Sequence, residues 1–467
     1  MWLVRKKIIL FMWTICVLNC TGCLEFPVQN FQANRGGVVF MYISCQPKLN
    51  LDVSFEISAL SFMNSRGEWI KISLNKVVDS KQLRNKQFKL AEISLPPGRY
   101  HKLKLEVKRA KKTRKNKTYS LALANPSGEY ELSFDLDILP QSSNVFFLDW
   151  YPEASVVHKY LFKPKFNICN SSNGLKNLLL YVTCSASNSV LVINRQEDKV
   201  VDVIGVGNAP KGIVANPDGR KVYVANFDSK DISVLDPTLN KVITTISNFD
   251  YSPLDLALSK DGRWLYATNP EANCISVIDL GANVFCQSIH VGNDPGAIAY
   301  DPLRQKLYVL NRGDNSISVV DASSFQLETT IMVGLKPMDL NIFEDKLYIT
   351  SPDTNNIFVV DLTSYTVEKI IYGLAQPTGI IGGLFGNMYL SLEATNEVAF
   401  WDPGMGITLR NISVGSSPEK LALDSSRRKL YVLNRNSEDI SVIDLNQETV
   451  KTSIQIGKDP YDLVILN

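Results

Sequence analysis

Tyr308-Val309-Leu310-Asn311, a polar tip from Arg312 to Asn315, then Ile317-Ser318-Val319-Val320-Asp321: this stretch decides the fold, because the chain repeats it. A Tyr opening the same kind of phrase recurs at Tyr181, Tyr223, Tyr266, Tyr308, Tyr348, Tyr389 and Tyr431, at intervals of 42, 43, 42, 40, 41 and 42 residues. Such a period marks one supersecondary unit stacked many times. Between phrases a Gly is followed by a Pro: Gly207 and Pro210, Gly292 and Pro295, Gly334 and Pro337, Gly373 and Pro377, Gly415 and Pro418, Gly457 and Pro460; the remaining interval keeps Pro253. Gly adopts backbone conformations other residues resist and Pro cannot extend a central strand, so the pair suits the crossing from one sheet to the next. Turn chemistry recurs at Asn216-Pro217-Asp218-Gly219 and Ser259-Lys260-Asp261-Gly262. Four strands per repeat and seven repeats predict an all-β, seven-bladed β-propeller over residues 170–467.

The phrase resembles the YVTN family of propeller repeats, which implies the same fold over the whole region. The first Tyr phrase has no Gly-Pro unit or innermost strand before it, and the last Gly-Pro unit is followed by an orphan strand, Tyr461 to Leu466. The orphan is expected to complete the first blade and remove two sheet edges.

At the other end, Arg5, Lys6 and Lys7 precede an apolar stretch, Ile8 to Leu18, too short for the ~20 residues of a membrane-spanning helix. It reads as a signal peptide over residues 1–22. The following Cys20-Thr21-Gly22-Cys23 resembles the lipobox of bacterial lipoproteins, with Cys23 as the acylated first mature residue and Cys20 departing from the usual Leu. A redox Cys-x-x-Cys and an uncleaved anchor are the competing readings. Leu24, standing where an Asp would retain the protein at the inner membrane, favours the outer membrane. With Cys16, Cys20 and Cys23 in the leader, five of the eight cysteines remain, an odd number that implies no complete disulfide framework. Cys274 and Cys286 flank a hairpin turn and would either bond across it or serve as two small buried hydrophobes.

Residues 30–168 carry alternating runs, Val53 to Ile57, Trp69 to Leu74, Tyr100 to Val107 and Tyr130 to Ile138, with turns at Arg66-Gly67 and Pro96-Pro97-Gly98. Period-two alternation without a helical pattern predicts an antiparallel β-sandwich. Phe55 to Trp69, Leu95 to Tyr100 leading into Leu103 to Glu106, and Phe134 to Asp137 with Phe162-Lys163-Pro164 resemble an uncharacterised domain of secreted prokaryotic proteins. That resemblance implies a transthyretin-like or carbohydrate-binding-like sandwich.

Lys and Arg total 49 against 47 Asp and Glu, a formal charge of +2, so no global field attracts nucleic acid. Some YVTN relatives are described as DNA-binding; near-neutral charge and a lipid anchor argue against it here. The local exception is Lys108, Arg109, Lys111, Lys112, Arg114, Lys115 and Lys117, either a solvated hairpin tip or a contact for anionic headgroups. Asp236, Asp279, Asp321, Asp361, Asp402 and Asp444 recur once per repeat and read as turn caps. Symmetry breakers are better site candidates. The position after the repeated Asn holds Phe227, Arg312, Glu393 and Arg435, expected to ring one mouth of the channel, with both Arg suited to a polar or anionic ligand. The three His, His101, His158 and His290, are scattered, and no zinc, haem, phosphate-loop or nucleophile motif is present, so no metal, cofactor or catalytic residue is expected. Asp314-Asn315 and Asp353-Thr354-Asn355 read as hairpin tips sooner than calcium loops. The expectation is a lipid-anchored envelope protein whose propeller is a non-catalytic platform for an envelope protein or glycan, with a lactonase- or lyase-type enzyme as the alternative.

Overall fold

The computed structural model describes residues 36–45, 51–170, 178–247 and 249–466, so the leader, Cys20 and Cys23 lie outside the described residues. The amino-terminal strands make two facing sheets. One runs in the order Phe166–Cys169, Ser143–Trp150, Gly37–Cys45, Gln87–Leu95. The other is built on the long strands Asp52–Asn64 and Gly98–Arg114. Phe55, Phe62, Tyr100, Phe146, Trp150 and Phe162 fill the space between them, with Phe55 and Trp150 edge to face at 4.8 Å. The purely antiparallel expectation needs correction: Gly37–Cys45 runs parallel to Ser143–Trp150, and Leu161–Phe162 parallel to Lys117–Leu123. Parallel neighbours need a long crossover, and the intervening chain supplies one by running through the opposite sheet.

From Leu179 onward the chain forms seven consecutive four-stranded antiparallel sheets. The first holds Leu179–Cys184, Ser189–Asn194 and Lys199–Gly205, completed by the last strand of the chain, Pro460–Ile465, which pairs with Leu179–Cys184. The others span residues 210–246, 256–290, 295–332, 340–371, 377–413 and 418–455. Each innermost strand touches the next, and Pro460–Ile465 touches both Pro418–Asp424 and Pro210–Ala215.

The repeated Tyr now has a physical reason. Each lies in the wedge between its own sheet and the next: Tyr181 with Ile213, Tyr223 with Leu256, Tyr266 with Ile298, Tyr308 with Leu340, Tyr348 with Ile380, Tyr389 with Leu430, and Tyr431 with Leu180. Flat sheets packed around an axis splay outward, and a large flat side chain fills the widening gap without a cavity. The Gly and the Asn of the repeat explain each other. A Cβ on Gly207, Gly292 or Gly415 would stand 2.6 Å from the amide of Asn226, Asn311 or Asn434. Those amides in turn donate to Ser233, Ser318 and Ser441 at 2.9, 3.0 and 2.9 Å. The repeated Asp carboxylates accept the turn N–H groups that follow them, as Asp321 does from Ser323 and Ser324 at 2.9 and 2.7 Å.

Sandwich and sheets share one core. Gly37–Cys45 sends Val39, Met41 and Ile43 into the sandwich and Phe40 and Tyr42 the other way, to meet Leu180, Tyr431 and Ile456. Tyr42 donates to the carbonyl of Gln455 at 3.2 Å, the Gln455 side chain accepts the Lys89 N–H at 2.8 Å, and the Lys89 ammonium reaches the Ile456 carbonyl. The sandwich thus docks where the first and last sheets meet.

The Cys274–Cys286 bridge is a second correction. Both thiols are free, Cys274 buried and Cys286 exposed. The ladder sets Cys274 opposite His290, while Cys286 falls at a register shift between Gln287 and Phe285. A disulfide needs the two Cβ atoms directly opposed.

Candidate functional site

The seven Pro residues at the sheet crossings, Pro210, Pro253, Pro295, Pro337, Pro377, Pro418 and Pro460, carry the geometry of the site one step further. Two residues beyond each stands one residue of that crossing: Gly212, Asp255, Ala297, Asp339, Gly379, Lys420 and Asp462. In chain order small and charged residues alternate until Lys420 and Asp462 follow one another. Each carboxylate leans over its small neighbour. Asp255 accepts the Ile298 N–H at 3.0 Å, Asp339 the Ile380 N–H at 3.2 Å and Asp462 the Ile213 N–H at 3.1 Å. A Cβ on Gly212 would sit 2.9 Å from an Asp255 oxygen, so the alternation is steric as well as electrostatic.

Asp255, Ala297, Asp339, Lys420 and Asp462 line a cavity of about 150 Å³. Lys420 spans Gly379 to reach Asp339 at 2.8 Å. Lys420 is the cation set among these three carboxylates, since Arg312 and Arg435, on the same cavity, are turned to Asp294, Asp459 and Glu419. Burial raises the Asp255 carboxyl above its usual range, and burial, opposed by Lys420 and reinforced by Asp255, lifts Asp462 to about 7. Burial raises Glu419 as well.

An acid whose folded pKa exceeds its unfolded value binds more protons when folded, so its stabilising contribution is complete below about 4 and is lost as pH rises towards 7. Between pH 5 and 8 the protein is therefore expected to lose thermal stability as pH rises, and Asp462→Asn to flatten that dependence. Unfolding temperatures of both forms across that range check it. An unchanged slope would mean that Asp462 ionises freely.

Of the side chains expected at the channel mouth, Arg312 and Arg435 do meet at this cavity. Both are already engaged. Arg435 donates to Asp459 at 2.9 and 3.1 Å and lies 3.4 Å from Glu419; Arg312 donates to Asp294 at 2.8 Å. Gly296 leaves room for the Arg312 side chain, whose buried Nε has no partner among the described residues. Glu393 and Phe227 stand apart from the cavity lining: Glu393 accepts the Ser417 hydroxyl at 2.7 Å, and Phe227 is half-buried with its N–H on the Ala209 carbonyl. Asp255, Asp339, Lys420 and Asp462 were not among the sequence candidates. The signal was present, two residues past each Pro, but it becomes visible only when the repeats are aligned on Pro and read for what breaks the symmetry.

Elsewhere, the basic cluster from Lys108 to Lys117 occupies the end of the Gly98–Arg114 and Lys117–Leu123 hairpin, exposed but for the half-buried Lys112. Arg109 pairs with Glu56 at 2.6 Å, and the Lys112 ammonium lies 5.4 Å from the centre of the exposed Tyr160 ring. Asp314, at the tip considered for calcium, accepts from the backbone and side chain of Asn293 at 2.6 and 2.7 Å.

The architecture has counterparts among solved structures. Hydrazine synthase of Kuenenia stuttgartiensis superposes with a TM-score of 0.52 at 19% identity, over 57% of this chain and 92% of that one. A functionally unknown protein from Desulfotomaculum acetoxidans DSM 771 superposes at 0.55 and 13% identity, over 62% and 99%. Dihydro-heme d1 dehydrogenase NirN, solved in complex with DHE, superposes at 0.50 and 16% identity, over 61% and 64%. Such distant likeness defines the class alone: an all-β protein with neighbours of β-propeller type. Residues 37–164 match the family described as a domain of unknown function, DUF4382. No curated protein matches the chain.

Proposed function

We propose that this chain is a lipid-anchored envelope protein whose sheets form a seven-bladed, YVTN-type propeller serving as a non-catalytic binding platform, with the sandwich as a rigid pedestal. Supporting the propeller are seven wedge cores, one at every junction including that between the last sheet and the first, and a terminal strand shared with the first sheet. The anchor rests on the lipobox resemblance at Cys23. Outer-membrane placement rests on Leu24.

The observation that carries the non-catalytic reading is the pairing at the cavity. Arg435 is held by Asp459 and Glu419, Arg312 by Asp294, and Lys420 by Asp339, while the constriction carboxylates are taken up by backbone N–H groups. A general base or nucleophile needs a free, aimed lone pair, whereas a binding rim needs only fixed charge. A lactonase- or lyase-type reading draws on Asp462, whose carboxyl at about 7 is suited to proton transfer.

Expression of a Cys23→Ala form tests the anchor and supplies a soluble bait, expected in the aqueous fraction where the parent stays with membranes. Cross-linking this bait to envelope partners, with and without Arg312→Ala, Glu393→Ala and Arg435→Ala together, is expected to lose at least ten-fold of the captured partner in the triple variant. Membrane retention of the Cys23→Ala form would overturn the anchor. Capture undiminished in the triple variant would overturn the rim.

A further inference from the structure

The opposite end of the sheets carries a second concavity, formed by turns that join strands far from Arg312 and Arg435. Between the third and fourth sheets lies a groove of about 620 Å³, floored by Trp264, Tyr300 and Phe325 and edged by Asp261, Gln305 and Ser323. Two departures from the repeat and an aromatic turn residue converge on it. Where Trp264 stands, other repeats carry Lys221, Lys306, Lys346 and Lys429. Lys306 pairs with Asp321 at 2.7 Å, Lys346 with Glu368 at 2.7 Å and Lys429 with Asp198 at 2.6 Å, and a Trp makes no such pair. Tyr300, opposite Leu307 in the ladder, replaces the Ala215 and Leu258 that pair with Val222 and Leu265. Phe325 occupies a left-handed turn position, φ 59°, filled by Asn240 and Asn283 in the second and third sheets and by another aromatic, Tyr365, in the fifth. Asn tolerates that conformation and a bulky aromatic resists it, so the ring is held there against local strain.

The rings form a floor rather than a sealed core. Trp264 and Phe325 meet edge to face at 5.2 Å, Tyr300 lies nearly parallel to Tyr266 at 6.3 Å, and the three floor rings are only half-buried. At the edge, Ser323 donates to the Gln305 side chain at 2.7 Å, and Asp261 accepts from Ser259 at 2.6 Å, which fixes their orientation. The molecule contains its own control. The corresponding groove between the fifth and sixth sheets, about 350 Å³, is lined by Glu344, Lys346, Glu368, Lys369 and Asp402 around one ring, Tyr348.

We infer that the Trp264 groove binds carbohydrate. A pyranose ring offers a C–H face to an aromatic floor and an equator of hydroxyls to a rim of carboxylate, amide and hydroxyl groups, the mixed lining that small-molecule sites display. The charges at the edge, Lys260 and Asp261, offset each other, and Arg263, 4.9 Å over the Trp264 ring, lies 3.8 Å from Asp279, so the groove lacks the strong cationic field that a phosphate-bearing strand requires. The site is separate from the channel mouth and stands or falls without it.

The test is calorimetric titration of the full-length protein in detergent with cellohexaose, chitohexaose and mannohexaose. Saturable binding of at least one is expected. Trp264→Lys, which restores the residue of the neighbouring repeats and so keeps the fold, should weaken it at least ten-fold. Phe325→Asn should weaken binding while raising the unfolding temperature, because it releases the strained turn. Arg312→Ala with Arg435→Ala should leave the affinity unchanged. Absence of saturable binding by all three sugars at millimolar concentration would overturn the inference, as would binding that survives Trp264→Lys. Binding of oligo-dT abolished by Trp264→Lys would reassign the groove to stacked bases.

Discussion

A chain that stops at Gly457 is expected to lose its cooperative unfolding transition. The missing strand, Pro460–Ile465, is the innermost member of the first sheet and serves two wedge cores: Leu463 packs with Leu180 and Tyr431, Leu466 with Leu179 and Ile213. Fully burying a Leu is worth ~1.5–3 kcal/mol, so these two contribute about 3–6 kcal/mol at most. Val464 and Ile465 are half-buried and add less.

Polar losses come on top. Arg195, buried at the seam between the last sheet and the first, donates to Asp424 at 2.5 Å and to the Leu466 carbonyl at 2.7 Å. Lys429 beside it holds Asp198 at 2.6 Å. Removing an acceptor from a buried charge leaves a desolvation cost of ~1–3 kcal/mol or more. Against a domain stability of ~5–15 kcal/mol the sum is decisive. Urea unfolding followed by far-ultraviolet dichroism should show a broad, early transition for the truncated chain. A midpoint and slope equal to those of the full chain would sink the idea that the last strand closes the ring.

Lys420→Met is expected to cost about 2–3 kcal/mol near pH 8. Its side chain is 29% exposed and that of its partner Asp339 12%, so the loss should fall below the ~3–5 kcal/mol of a fully buried pair. What remains is Asp255, Asp339 and Asp462 without the ammonium set among them, and each keeps its backbone donors. Two further results belong to the same cause. Asp339→Asn in the Lys420→Met background should recover part of the loss, since it removes the carboxylate left alone. At pH 5 the penalty should shrink, because Asp462, lifted by burial to about 7, is then largely protonated, and burial shifts Asp255 in the same direction. Denaturant melts of the four forms at both pH values give the coupling directly. A loss under about 1 kcal/mol that does not vary with pH would mean that water in the cavity solvates the acids by itself.

Several features were legible in the sequence because they recur. A residue needed at each of seven junctions is printed seven times, as Tyr181 to Tyr431 are, and a turn that needs a cap shows its Asp each time. The alternating sandwich strands were legible for a simpler reason, since one face meets water. Gly37–Cys45 and Ser143–Trp150 escaped that reading because both their faces are covered, one by the sandwich core and one by Tyr431 and its neighbours. Continuous apolar runs carry no period. The disulfide considered at Cys274 failed on register, which a bulge shifts and which spacing along the chain does not express.

Sequence by itself determined the repeat, its length, its turns and the positions where symmetry breaks. Those follow from local chemistry, since side-chain period and turn preference act within a few residues. Tertiary structure alone decided which symmetry breakers act together. Asp255, Asp339, Lys420 and Asp462 span residues 255 to 462 of the chain and share one cavity because the first strand of each sheet packs against that of the next. Trp264, Tyr300 and Phe325 come from two sheets and meet only because the sheets pack side by side. The sandwich joins the first and last sheets because the two buried strands present a second apolar face, and where such a face lands is settled by packing, not by pattern.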